Sequence, residues 1–235
     1  LFAGYSGDRG RFETLQGWSL NSGETIVPFT DCKSDVNALT AFGDNVITAH
    51  SYRKGSGIPS LAIHSTVTGK KTAALDGIDG TMLDIKYQNG KLYGGGGEGV
   101  LGIWSVNTNE CVLRAESSDY SISSIGLKDD RLYAAYGYNF NKIGVLPSGD
   151  TKWQYTFPAR MNVSRIVVTG NYIIGYDCEN DLLTVWLADS GEVLCDMYAD
   201  DYISACAVSD KKIFYGTVNG NIHVMIPENF ICNED

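Results

Sequence analysis

The chain has 235 residues, 43% of them hydrophobic, enough for a substantial core in one all-β domain or two small ones. Its 18 basic and 28 acidic residues leave a net charge of −10, which argues against nucleic acid as principal ligand, because holding a phosphate backbone requires a basic stripe. No run approaches the roughly 18 consecutive apolar residues of a membrane helix, and the opening LFAGYSGDRGR lacks the basic-then-apolar order of a secretion signal, reading instead like the middle of a repeat.

Short apolar runs bounded by turn residues follow one another along the whole chain. Residues 1–31 predict strands at 1–6, 13–20 and 24–29, the last two separated by Asn21-Ser22-Gly23-Glu24. In 32–77 an inner strand starts at Val36 and a second at Val46 after Gly43-Asp44-Asn45. A third strand there carries His64 and ends at Thr68-Gly69-Lys70. In 78–117 the starts are Met82 and Leu92, either side of Asn89-Gly90. The run 93–99, rich in glycine, reads as a tight loop; Trp104 and the turn Asn107-Thr108-Asn109-Glu110 follow. Residues 118–159 predict strands at 122–125, 132–136, 143–146 and 153–157, with turns at 128–130 and 147–150. In 160–200 the starts are Val163 and Ile173 around Thr169-Gly170-Asn171, then Trp186 and Asp189-Ser190-Gly191-Glu192. Residues 201–235 begin strands at Ile203 and Ile213, place Met225 in a third, and end with an outer strand at 229–232. Glycine or asparagine recurs in these turns because they need a positive φ.

The runs keep a period. Second strands start at Leu1, Val46, Leu92, Leu132, Ile173 and Ile213, in steps of 45, 46, 40, 41 and 40. Inner strands at Val36, Met82, Ile122, Val163 and Ile203 each precede a second strand by 10 residues. Self-similarity of this length built from short strands predicts an all-β fold, a β-propeller of four-stranded antiparallel blades with six blade units in 1–235. The first unit lacks an inner strand, which should begin about ten positions before Leu1. A neighbour's backbone groups would then stand unpaired, so the chain is expected to be an excerpt of a six- or seven-bladed propeller.

One position of the third strand also recurs: Trp18, His64, Trp104, Gly144, Trp186 and Met225. A large flat side chain once per blade is expected to pack between neighbouring sheets. Trp18-Ser19-Leu20 and Trp104-Ser105-Val106 are near copies, Val185-Trp186-Leu187-Ala188 is a variant, and the step is close to 40. On these elements the chain resembles the WD40-repeat family over its whole length, as a divergent member without an assigned subfamily. No Gly-His dipeptide and no Trp-Asp pair occurs. The family's buried His–Asp network is therefore expected to be largely absent, with Asp8 and Asp181 as candidates for its aspartate. The resemblance implies a protein-interaction scaffold or adaptor, with the substrate-recognition propeller of a ubiquitin ligase complex as one such role.

Spacing singles out one surface. From second strand to tryptophan position the interval is 17 and 18 in the first two blades but 12, 12, 13 and 12 in the others. The extra residues fall in 7–12 and 52–59, loops of adjacent blades expected at the same end and both basic, with Arg9, Arg11, Arg53 and Lys54. Blade-to-blade loops expected at that end are acidic, including Asp35, Asp119 and Asp201. Tyr52, Tyr120 and Tyr202 add aromatic contact area. These ten residues form the candidate partner-binding face, its ligand another protein or peptide, acidic or phosphorylated.

Nothing in the spacing suggests catalysis. His50, His64 and His223 stand apart from any nucleophile or carboxylate pattern, and no H-x-x-x-H pair, phosphate loop or nucleophile elbow occurs. No catalytic residue, metal or cofactor is therefore expected. A quinoprotein-like or other ligand-binding propeller is the alternative, suggested by Thr68-Gly69-Lys70 and Ser190-Gly191-Glu192. A sugar-binding propeller is disfavoured by the unlike loops. Six cysteines without a C-x-x-C pair read as free thiols in a reducing compartment. That places the chain in the cytoplasm, with the nucleus as the second option.

Overall fold

Period-two apolar alternation, broken by turns that only glycine, asparagine or aspartate adopt cheaply, builds six antiparallel sheets in the computed structural model. It describes residues 1–4, 14–29, 31–32, 34–52, 55–116, 120–136, 141–147, 149–159, 162–209 and 212–226. The first sheet has three strands, β1 (Phe2–Gly4), β2 (Leu15–Trp18) and β3 (Thr25–Pro28). The second joins β4 (Val36–Phe42), β5 (Asn45–His50), β6 (Leu61–Ser65) and β7 (Lys71–Ala74). The third comprises β8 (Met82–Gln88), β9 (Lys91–Gly96), β10 (Val100–Ser105) and β11 (Glu110–Glu116). In the fourth are β12 (Ile122–Lys128), β13 (Arg131–Tyr136), β14 (Lys142–Pro147) and β15 (Tyr155–Pro158). The fifth holds β16 (Arg165–Thr169), β17 (Tyr172–Tyr176), β18 (Leu182–Leu187) and β19 (Val193–Tyr198). The sixth has β20 (Ile203–Ser209), β21 (Lys212–Thr217) and β22 (Ile222–Met225) among the described residues. This is the all-β, six-bladed propeller fold that the period predicts. A single 3-10 turn, Gly97–Gly99, is the only helical element among the described residues. No helix there is long and apolar enough to cross a membrane.

The blades fall into two compact units, Leu1–Ser123 with Gly149–Lys152, and Ser124–Ser148 with Trp153–Asp235. In the first, Leu15 and Phe29 pack with Cys32 and Val46, and a larger cluster joins Ile47, Leu61 and Ile63 to Met82, Leu92 and Trp104. In the second, Tyr133, Ile143 and Val145 pack with Ile173 and Trp186, while Ile174, Val185, Ile203 and Ile213 form the next layer. Each cluster thus joins the faces of consecutive sheets, as face-to-face β packing requires.

The recurring third-strand position is a register position. Trp104 pairs with Leu92, His64 with Val46, Trp186 with Ile173 and Met225 with Ile213, and the Trp18 N–H donates to the Leu1 carbonyl at 2.8 Å. Trp104 and Trp186 are fully buried, whereas Trp18 is half-buried. The indole needs space on the facing strand. A Cβ on Gly94 would lie 3.0 Å from Trp104 Cζ3, and one on Gly175 would lie 2.7 Å from Trp186 Cζ3. Both glycines stand two residues after the start of the second-strand register.

Four expectations need correcting. Gly144 does not occupy the tryptophan position: it pairs with Ala134, and Leu146 pairs with Leu132. Instead Gly144 makes room for Trp153, whose Cδ2 would be 2.8 Å from a Cβ there. Trp153 precedes β15 rather than starting it, and stacks on Tyr136 at 5.1 Å with planes 17° apart. Residues 93–96 are strand and not loop; Gly96 lets the Thr81 carbonyl approach its backbone, and the turn begins only at Gly97. The inner strand expected from Val163 begins at Arg165, Val163 being fully buried just before it. Trp186→Ala should cost about 3–5 kcal/mol, the range for emptying a buried aromatic site. Urea unfolding followed by circular dichroism would test this; a loss under about 1 kcal/mol would contradict the packing role.

Candidate functional site

The longest described connection between a second and third strand runs from β5 to β6, and it is closed at its base by the His50 N–H donating to the Ser60 carbonyl at 2.9 Å. Gly55 and Gly57 turn it with φ of 80° and 70°, a region that side-chain-bearing residues avoid. Two hydrogen bonds tie it to the connection that leads into the third blade. The Tyr52 N–H donates to Thr81 Oγ1 at 3.0 Å, and Ser60 Oγ donates to the Ile78 carbonyl at 3.2 Å. Between these walls lies a cleft of about 550 Å³, lined by Tyr52, Ile58, Pro59 and Lys71 with Asp76 and Asp79. It is the size of a small-ligand or peptide side-chain site and offers both signs of charge over an apolar floor.

A second cavity of about 150 Å³ shares Gly57, Ile58, Pro59 and Lys71 with the first and reaches a buried polar cluster. Its base is Cys32, His50 and His64, each no more than 2% exposed. One ligating atom from each lies within 4.8 Å of the other two. His64 fills the position that tryptophan takes in β10 and β18, and Thr48 replaces the glycine of the facing strand. Thr48 Oγ1 lies 3.2 Å from His64 Nε2 and 2.8 Å from His50 Nε2. The other nitrogen of His50, Nδ1, donates to the Asp35 carbonyl at 3.1 Å and also meets Ser34 Oγ at 2.8 Å. Burial pushes both imidazoles down, His64 to about 4 with His50 and Lys71 adding to the effect and Asp31 opposing it. Burial pushes the Cys32 thiol up, against hydrogen bonds with Thr14 and Thr48.

A comparable serine contact recurs in the second unit, where Ser164 Oγ donates to Asp177 Oδ1 at 2.9 Å and Asn180 Nδ2 donates to Oδ2 at 3.0 Å. The buried carboxylate of that blade is therefore Asp177, not Asp181. Asp181 supplies its main-chain carbonyl to the Ala199 N–H at 2.7 Å. Asp8 lies outside the described residues.

Of the residues expected to bind a partner, Tyr52 lines the larger cleft and Asp35 orients His50 through its carbonyl. Tyr120 and Tyr202 are exposed, and Asp201 caps the Tyr202 N–H at 2.8 Å; they line neither cavity. Arg9, Arg11, Arg53, Lys54 and Asp119 lie outside the described residues. Cys32, Thr48, His50 and His64 were not expected as a group. The histidines are 14 apart in sequence and read as unrelated strand residues, yet adjacent antiparallel strands bring them together. His223 is in the second unit, its Nε2 3.0 Å from Asp200 Oδ1 and its ring stacked on Tyr215 at 4.9 Å.

No protein-family model matches the sequence, and no curated protein matches it. Solved structures do. A computationally designed protein, Ika8, superposes with a TM-score of 0.72 at 16% identity, over 90% of this chain and 64% of that one. A chain of the mitotic checkpoint complex gives 0.72 at 15% identity, over 89% and 67%. The chain thus spans just under two thirds of the length of the designed protein. At these identities the likeness is one of fold.

A depressed histidine pKa fixes the sign of a pH effect. The unfolded chain protonates His64 near 6.5 and the folded chain only near 4, so stability is complete above 6.5 and is lost as pH falls from 6.5 towards 4. The loss is on the order of 3 kcal/mol for this residue. Thermal melts across that interval should show it, and His64→Gln should flatten the dependence; an unchanged slope in the variant would refute the assignment.

Proposed function

We propose that this chain is a divergent WD40-type propeller serving as a non-catalytic protein-interaction platform. Its partner segment is acidic or phosphorylated, and it docks on the face that carries the long connections of the first two blades. The observation behind this reading is the cleft between the β5–β6 connection and the 75–79 segment. Tyr52, Ile58 and Pro59 beside Lys71 offer aromatic and apolar contact area on one wall, while Asp76 and Asp79 stand on the other, which leaves the attraction for an acidic segment to the basic residues of the long connections. The same connection contributes Arg53 and Lys54 in sequence, and the first blade contributes Arg9 and Arg11. A structural neighbour that is a chain of a protein complex accords with a partner-binding role. Five free thiols among the described residues accord with a reducing compartment, cytoplasm or nucleus.

Arrays of acidic and phosphorylated peptides probed with the full chain test the reading. Charge-assisted hydrogen bonds contribute about 1.5–3 kcal/mol each, so reversing Arg9, Arg11, Arg53 and Lys54 together should weaken the captured peptide by more than tenfold. Tyr52→Ala should cost about 1 kcal/mol or more. Retained affinity in the charge-reversed chain would defeat the proposal.

A further inference from the structure

We propose that Cys32, His50 and His64 form a zinc-binding site, with a fourth coordination position facing the cavity beneath Gly57, Ile58 and Pro59. The donor set is one thiolate sulfur and two imidazole nitrogens, the borderline-soft combination that zinc prefers. All three side chains are at most 2% exposed, and their ligating atoms already lie within 4.8 Å of one another. Zinc bond lengths of about 2.3 Å to sulfur and about 2.0–2.1 Å to nitrogen put tetrahedral ligand atoms about 3.5 Å apart. Closing the triad therefore requires side-chain movement, including that of Thr48 Oγ1, which now lies 2.8 Å from His50 Nε2.

The hydrogen bonds point the same way. With His50 Nδ1–H assigned as donor to the Asp35 carbonyl, which only accepts, and Ser34 Oγ at 2.8 Å accepting from the same N–H, His50 Nε2 holds a lone pair. Thr48 Oγ1 donates to that lone pair and accordingly accepts from His64 Nε2–H. His64 Nδ1 is then a bare lone pair, buried and without a hydrogen-bond partner among the described residues. A buried polar atom in that state asks for a ligand. Both imidazoles also show the second contact typical of metal ligands, the non-ligating N–H held by an oxygen: His50 by the Asp35 carbonyl, His64 by Thr48. The Thr48 proton has another acceptor, the Ala62 carbonyl at 3.4 Å, once a metal takes His50 Nε2. Cys32 Sγ lies 3.4 Å from Thr14 Oγ1, whose own proton goes to the Ser34 carbonyl, so the thiol donates in this contact. Asp31 lines the same cavity and offers an oxygen for the fourth position; water is the other candidate.

The site would link the connection that precedes β4 to β5 and β6, beneath the wall of the larger cleft. Its test uses the full chain, depleted with a chelator and titrated with zinc alone by calorimetry and with cobalt(II) by absorption. One equivalent should bind, and cobalt should give a thiolate-to-metal charge-transfer band with the intense visible bands of tetrahedral geometry. Cys32→Ser should abolish the charge-transfer band and weaken zinc more than tenfold, whereas Cys195→Ser should change neither. His64→Gln should keep the charge-transfer band and shift the visible ones, which separates lost ligation from lost folding. Absence of a charge-transfer band in the unaltered chain would overturn the proposal, as would a band that survives Cys32→Ser.

Discussion

A third-strand side chain can be only as large as the strand facing it permits, and this steric matching governs how the blades fill their cores. Where the position holds Trp104 or Trp186, the residue two on from its cross-strand partner is Gly94 or Gly175, and the indole lies against bare backbone. The fourth blade solves the same problem by register: Leu146 takes the position, Gly144 is vacated, and Trp153 reaches back over it to stack on Tyr136. Dense packing of this kind leaves little slack, because interiors tolerate neither overlap nor void.

The second blade departs from that pattern, and its departure creates the candidate site. Replacing a tryptophan by His64 and the glycine of the facing strand by Thr48 exchanges dispersion contacts for a polar chain through His50 to the Asp35 carbonyl. Buried polar groups persist only when bonded, and of the imidazole nitrogens of His50 and His64 all but His64 Nδ1 are satisfied. The smaller imidazole also leaves the cavity that the β5–β6 connection covers with Gly57, Ile58 and Pro59. Long loop, missing tryptophan and buried polar cluster are thus parts of one local arrangement. The same connection forms a wall of the larger cleft, so the proposed partner surface and the proposed metal site share a structural support.

Much of the architecture was legible before any coordinates. Period-two alternation with turn residues at fixed offsets places strands reliably when the repeat supplies several examples of each. Errors arose where one copy departed from the others. Counting twelve residues from Leu132 lands on Gly144, but a glycine says nothing about register, and the residue paired with Leu132 is Leu146, two positions further on. Tyr93 to Gly96 looked like a loop because glycine is rare in strands. Here it is required by Trp104 and by the approach of the Thr81 carbonyl. The buried acid is Asp177 and not the expected Asp181, because Asp177 follows directly on the end of β17 that Ser164 faces.

By itself the sequence determined the repeat, the strand order within each blade and the two connections that grew longer, because these follow from local periodicity and spacing. Only the tertiary structure decided that Cys32, His50 and His64 meet. Convergence depends on antiparallel pairing of β5 with β6 and on a blade-to-blade connection folding beneath them, none of which leaves a spacing signature between residues 32, 50 and 64.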